Sequence, residues 1–439
     1  MSMKRIIRRN PAKPTPSSSS SSPKKPIPFL AELKATDDPA DALRLLLHAP
    51  PHFHDYPACA SLLHRLARSR LFPLVDSLLL FIRSNRIPCK ESIFNSLIHH
   101  FGKARLPDKA LNLFLSIPSF NCSPSSPSRQ TLNFLLNALV DNDALQEAES
   151  YLARCKEWNL RPNVISYNIV LKGRCTKYGF ENARHLLDEM RKRRVRPSVV
   201  SYNILIGFMS RNGCLDGAMR LKEEMVSKGT HPNAVTFALL MEGLCREGKF
   251  DEAKKMMFDM EYQGCKTRLV NYGVLMSDCG RRGDLDGMNK VFVEMSRRRL
   301  RPDVVTYNIL INYFCAHGSV DDAYKVFVEM QLKGCEPSAA TYRMMVDGFC
   351  RVREFDKGLR VLSTMLCGKH CVKEESFEAL VVGLCEGGKM DDACFVLEAM
   401  DKRRMVLGFK AGVLWLWLVV YMLAMKLSCQ FACESLLSL

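Results

Sequence analysis

The sequence predicts an all-α fold, a right-handed superhelical solenoid of helix-turn-helix repeats. Three observations predict it. Related blocks recur at 35 residues or a multiple of 35: VISYNIVLKGRCTKYGFENARHLLDEM from Val164, VVSYNILIGFMSRNGCLDGAMRLKEEM from Val199, AVTFALLMEGLCREGKFDEAKKMMFDM from Ala234 and VVTYNILINYFCAHGSVDDAYKVFVEM from Val304. Apolar residues inside each block fall at helical spacing. A proline such as Pro197, Pro232, Pro302 or Pro337 closes most units, where it stops a helix from continuing.

Each block divides into two helices. Tyr202, Leu205 and Ile206 sit at i, i+3 and i+4 and form the apolar stripe of the first. A Gly break follows, as at Asn212-Gly213 or Glu247-Gly248. In the second, Ala218, Leu221 and Met225 fall at i, i+3 and i+7. The same offsets hold Ala183, Leu186, Met190; Ala253, Met256, Met260; Ala323, Val326, Met330; and Ala393, Val396, Met400. One hairpin cannot bury its stripe, but stacked hairpins share a continuous core. The methionine ladder therefore reads as packing, not as a metal or cofactor box.

Taken in order, residues 1–30 read as a leader. Up to Lys25 they hold no acid and are rich in serine, with Ser17 to Ser22 consecutive, which is the pattern of an organellar transit peptide. Arginine near the start favours the mitochondrion, with the chloroplast as alternative. Residues 31–55 are expected to hold a short capping helix. The repeats then run 56–90, 91–128, 129–163, 164–198, 199–233, 234–268, 269–303, 304–338, 339–373 and 374–408, the second being longer in the Ser/Pro-rich stretch Ser119 to Ser128. Residues 409–439 form an atypical hydrophobic tail. Its apolar run Ala411–Met425 has 15 residues, short of the roughly 20 that cross a bilayer, so a cap or variant tail is favoured over a membrane span.

Apolar residues make up 47% and charged residues 25%, a globular balance rather than a disordered one. Net charge is +17. Residues 1–34 contribute eight cations against Glu32, so the rest of the chain still carries +10. A basic solenoid suits a polyanion. Of the 18 cysteines, Cys175, Cys245, Cys315, Cys350 and Cys385 recur at multiples of 35. They read as small buried residues in a reducing compartment rather than as disulfide or zinc ligands.

VVTYNILI, the Gly break, DDA and EM, closed by Pro with Asp, Asn or Ser after it at a 35-residue period, resemble the plant-type pentatricopeptide repeat of the P class over about 350 residues. The resemblance implies an organellar protein that binds single-stranded RNA and supports its processing, stability, splicing or translation. Further partners would be RNA-processing or ribosomal proteins, with membrane attachment disfavoured. It also implies that the fifth and last residues of each repeat select one base: Asn95 with Ser128, Asn133 with Asn163, Asn168 with Ser198, Asn203 with Asn233 and Asn308 with Ser338. These pairs imply pyrimidines, cytosine over uracil: a run of about four, two poorly specified positions, then one more, the chain running parallel to the RNA 5′ to 3′. Aliphatic second residues, Ile165, Val200, Val235, Val270 and Val305, would wedge between bases. The pairs Ala60 with Lys90, Ala238 with Arg268, Gly273 with Asp303, Arg343 with Lys373 and Glu378 with Gly408 depart from the pattern. They leave open a rival reading, a protein-interaction solenoid in an assembly such as the mitochondrial ribosome.

A basic residue stands thirteenth in six repeats: Arg68, Lys103, Arg211, Arg246, Arg281 and Arg351. Such a line suits phosphates, although a helix C-terminus attracts cations unaided. Asp141 and Ala316 interrupt it. No enzyme, metal or cofactor is expected. His-x-Glu with Cys-x-x-Cys and a phosphate-binding Gly-x-x-x-x-Gly-Lys-Ser/Thr loop are absent from the sequence, and Asp321-Asp322 and Asp391-Asp392 open second helices, where acids suit the dipole.

Overall fold

A computed structural model describes residues 28–122, 126–368 and 374–401. The leader up to residue 27, Lys373, Gly408 and the apolar tail lie outside the described residues. Among the described residues are twenty-one α-helices and no β-sheet, and no helix is long and apolar enough to cross a membrane. Among the described residues the single strand-like contact is a parallel bridge between Cys89 and Cys122, where the Cys89 N–H donates to the Asn121 carbonyl at 2.9 Å.

First helices begin at Tyr56, Glu91, Arg129, Val164, Val199, Ala234, Leu269, Val304, Ala339 and Glu374. The start of most is set by a cap. Asn233 Oδ1 accepts from the N–H of Val235 and of Thr236, both at 3.1 Å; Asp303 Oδ1 accepts from Thr306 N–H at 2.8 Å. These bonds satisfy donors that an α-helix leaves free in its first turn. Second helices follow, for example Leu215–Ser227, Phe250–Tyr262, Leu285–Arg297 and Val320–Leu332. Ahead of the repeats stand two helices, Pro28–Ala35 and Pro39–His48, where one was expected. The reason is local: Asp38 accepts from the Ala40 N–H at 2.9 Å and Pro39 opens the new helix, so the chain restarts there.

The described residues fall into two compact units, divided between Lys177 and Tyr178. The division falls inside the repeat at 164–198, beside Gly179, whose φ of 80° breaks the helical run Val164–Lys192. In the first unit Glu91–Lys103 packs against both Tyr56–Arg68 and Arg129–Val140. In the second, Val199–Arg211, Ala234–Arg246, Leu269–Arg281, Val304–Ala316, Ala339–Arg351 and Glu374–Glu386 each pack on the next. First helices therefore stack on first helices, which brings equivalent residues into one row within each unit.

The ladder residues Ala218, Leu221, Met225, Ala393, Val396 and Met400 are all buried. In two repeats the middle place shifts by one: Met257 and Phe327 are buried while Met256 and Val326 are half-buried. Burial pushes the thiols of Cys245, Cys315 and Cys350 up to about 12, which keeps them protonated and unreactive.

Between first helices the tenth residue of one meets the twelfth of the helix before it, and one member of the pair is small. A Cβ on Gly102 would stand 2.8 Å from that of Ala138, and one on Gly348 would stand 2.5 Å from Cys315 Sγ. A Cβ on Gly280 would stand 2.3 Å from the Tyr313 ring.

Turns after the helices need a left-handed residue. Gly229, Gly264 and Gly334 supply it after second helices, but Arg194 and Arg299 fill equivalent places at φ 59° and 60°. The side chain is strained there. Arg299→Gly is expected to raise unfolding stability by about 0.5–1 kcal/mol, read as a higher thermal midpoint.

Candidate nucleic-acid interface

The second residue of a first helix points out of the first turn. Ile165, Val200, Val235, Val270 and Val305 are 56%, 57%, 45%, 41% and 64% exposed, although each is a branched apolar side chain. Five such residues at one place in the repeat make a periodic exposed apolar feature, unlike scattered surface hydrophobics. The cap holds some of them in place: Ile165 N–H donates to Asn163 Oδ1 at 3.0 Å, as Val235 does to Asn233.

The fifth residue lies one turn on, at i+3 from the second, and so on the same face. Asn133, Asn203 and Asn308 are half-buried there. In each, the side-chain oxygen accepts a hydroxyl from the third residue of the following repeat: Ser166 to Asn133 at 2.6 Å, Thr236 to Asn203 at 2.8 Å and Thr341 to Asn308 at 2.7 Å. Asn203 also donates from Nδ2 to Asn233 Oδ1 at 3.4 Å, which joins the fifth and last residues of one repeat. Asn95 and Asn168 differ, each being only 8% exposed. The Asn95 oxygen is buried with no hydrogen-bond partner, because the Thr131 hydroxyl is drawn instead to the Glu91 carboxylate.

The last residues are helix caps. Ser128 Oγ accepts from Gln130 and Thr131 N–H, Asn163 Oδ1 from Ile165 and Ser166 N–H, and Ser338 Oγ from Thr341 N–H. The Ser198 N–H donates to Ser201 Oγ. Capping alone would select Ser, Asn or Asp here. For Asn the two duties separate, since the oxygen caps and the NH₂ group stays available. Asn233 is exposed, so its NH₂ faces solvent.

All six thirteenth-place cations are exposed. Arg246 is held by Glu242 at 3.0 Å, and Arg281 lies 3.6 Å from the buried Asp278. The classes converge at one repeat: a cavity of about 470 Å³ is lined by Val270, Gly273, Arg281, Asp303, Val305 and Ile309. It brings the second, fifth, thirteenth and last residues of that repeat together with the second residue of the next. The pair Gly273 and Asp303, set apart by the sequence pattern, thus occupies the same place as the other pairs. Sequence reasoning missed the third residue. Its signal was present, as a Ser or Thr ahead of the aromatic in SYN, TF and TY.

Comparison with known proteins gives a consistent assignment. The PPR repeat family matches residues 162–209, 197–246, 268–315 and 302–351; the PPR repeat matches 92–122, 235–265, 340–368 and 375–405; the pentatricopeptide repeat domain matches 126–176. A mitochondrial pentatricopeptide repeat-containing protein of Arabidopsis thaliana is 49% identical over 167 residues, 36% of this chain and 36% of that protein. A second from the same organism, also named mitochondrial, is 32% identical over 153 residues, 33% of this chain and 28% of that protein. The chain thus matches about a third of the length of these curated relatives. Among solved structures, the maize pentatricopeptide repeat protein PPR10 is 20% identical, with 87% of this chain and 64% of that one covered and a TM-score of 0.44. The same protein in complex with an 18-nt psaJ RNA element is 21% identical, with 84% and 57% covered and a TM-score of 0.39.

Proposed function

This chain belongs to the pentatricopeptide repeat family, and on that premise we propose that it binds single-stranded RNA and reads pyrimidines with its fifth and last residues. The observation that carries the reading is the Asn203–Asn233 pair. Asn203 Oδ1 takes the Thr236 hydroxyl, and Asn233 Oδ1 takes two backbone N–H groups. Both oxygens are engaged, so the pair offers N–H donors to a ligand. Cytosine presents two adjacent acceptors, N3 and O2, to such donors. Uracil places an N3–H donor between its two carbonyls and would meet donor with donor. Cytosine is therefore preferred over uracil at this position. The exposed valines at second places supply apolar faces on which bases stack, and the thirteenth-place cations meet phosphates. The proposed target keeps the order set out above, a pyrimidine run followed by two loosely read positions and one further pyrimidine.

Mitochondrial residence is part of the proposal, supported by the names of both Arabidopsis relatives and by the basic, acid-free leader. Uptake and cleavage of the full chain by isolated mitochondria tests it, and exclusion from them sinks it.

A mobility-shift titration against a cytidine-rich and a purine oligonucleotide at two salt concentrations tests RNA binding. Tight, salt-sensitive binding of the first and weak binding of the second are expected; equal affinity for both removes base reading. Replacing Asn203 and Asn308 together by Ala should lower affinity for the cytidine-rich RNA by about tenfold or more, since each reading bond contributes about 0.5–1.5 kcal/mol. An unchanged titration curve for this pair of substitutions would count against the two residues as readers.

A further inference from the structure

Seven of the twelve buried polar or charged side chains among the described residues stand third in a repeat: Thr131, Ser166, Ser201, Thr236, Asn271, Thr306 and Thr341. Burying a hydroxyl at one fixed place per repeat is costly unless its bonds are made. A helix cap uses only part of what this hydroxyl offers. We infer that the third residue is a specificity-determining positioning group, which sets the donor–acceptor polarity of the asparagine in the repeat before it. The inference rests on the RNA reading above and deepens it.

The geometry is a relay with a direction. The backbone N–H of the last residue donates into the hydroxyl: Asn163 to Ser166 at 3.3 Å, Asn233 to Thr236 at 3.1 Å and Ser338 to Thr341 at 3.0 Å. Each hydroxyl has one proton to give, and its oxygen lies within 2.6–2.8 Å of the oxygen of Asn133, Asn203 or Asn308, nearer than the 3.2 Å from Ser166 to Asn163 Oδ1 or from Thr236 to Asn233 Oδ1, so the proton goes forward. All three hydroxyl-bearing residues are fully buried, so water cannot take over. With one lone pair filled from behind and its proton turned forward, the hydroxyl favours an amide oxygen in front of it over an amide NH₂. The asparagine is held with its oxygen turned inward and its NH₂ turned toward the ligand. Released from that bond, the amide could turn over and present an acceptor, and cytosine would lose its advantage.

Other repeats of the same chain show what the third residue does when no asparagine waits for it. Fifth residue Gly273 has no side chain to hold, and the Thr306 hydroxyl goes to Asp303 at 2.7 Å. Behind Ala238 the third residue is Asn271, whose Nδ2 reaches the Ala234 carbonyl at 3.0 Å. Thr306 thus supplies an internal control, a buried capping hydroxyl with no reader to steer.

The test uses the full chain and synthetic RNAs that carry a cytidine-rich tract in which one uridine is walked through every position. Wild type should lose about tenfold in affinity when uridine faces Asn203. In Thr236→Val that ratio should fall to within about twofold, while Thr236→Ser restores it, because only the hydroxyl is needed. Thr306→Val removes a buried hydroxyl from the same place in a repeat, one that bonds Asp303 and no fifth residue, so it should lower the thermal midpoint yet keep the wild-type ratio at Asn203. A wild-type ratio retained by Thr236→Val overturns the inference alone. Equal loss of the ratio in Thr236→Val and Thr306→Val also overturns it, since the effect would then be structural. A wild-type chain that binds none of the RNAs, or ignores the uridine, overturns the RNA reading and the inference with it.

Discussion

Replacing Asn233 by aspartate should convert a cytidine-preferring position into a uridine-preferring one. The substitution leaves the helix intact, because aspartate is an equally good cap and its charge suits a helix N-terminus. Asp303 already does this work, accepting from Thr306 N–H at 2.8 Å. What changes is the solvent-facing half of the side chain, from an NH₂ donor to a carboxylate oxygen. That oxygen accepts from uracil N3–H and repels cytosine N3. Leaving a polar group unpaired at the base edge costs about 1–3 kcal/mol, so the cytidine-to-uridine affinity ratio should swing by about 10- to 100-fold. The added negative charge will weaken binding of every RNA somewhat, but the ratio is insensitive to that. Paired titrations with oligonucleotides differing at the one nucleotide measure it. Persistence of the cytidine preference, with the thermal midpoint unchanged, would sink the assignment of Asn233.

The second large effect concerns stability. Gly280→Cys should destabilise the second of the two units, since the new Cβ would lie 2.3 Å from the Tyr313 ring. Overpacking of this kind costs about 1–3 kcal/mol. Tyr313→Gly alone should also destabilise, by removing ring contacts and placing glycine in a helix. The two together should be more stable than Gly280→Cys alone. They rebuild the arrangement that Cys315 and Gly348 already adopt one step further along the same stack. Thermal or urea unfolding of the four proteins gives the coupling directly. Strict additivity would show that the alternation of large and small residues is incidental.

Much of this architecture could be read before any coordinates. A 35-residue period with two apolar stripes leaves few choices but stacked hairpins, and Pro followed by Asn, Ser or Asp marks where most first helices are capped, as at Asn233 and Asp303. Contacts between repeats were not legible in the same way. That Thr131 turns to Glu91 and abandons Asn95 depends on two residues forty apart. The hydroxyl at third place was hidden for a different reason. Beside Asn233 or Ser338 it completes a capping box, an ordinary local motif that explains a Ser or Thr there. Its forward bond to the previous asparagine has no local signature. The shift of burial from Met256 to Met257, and from Val326 to Phe327, was likewise beyond reach, because a helix stripe fixes a face and not which of two adjacent residues lies deepest.

Because the Thr236 hydroxyl belongs to one hairpin and the Asn203 that it grips belongs to the hairpin before, what folds and what recognises are out of step by three residues. Arrays spliced at the closing proline would hand over their final asparagine without its steering partner, and that last nucleotide would be read loosely. A seam placed just beyond the third residue of the following hairpin should carry the full specificity across.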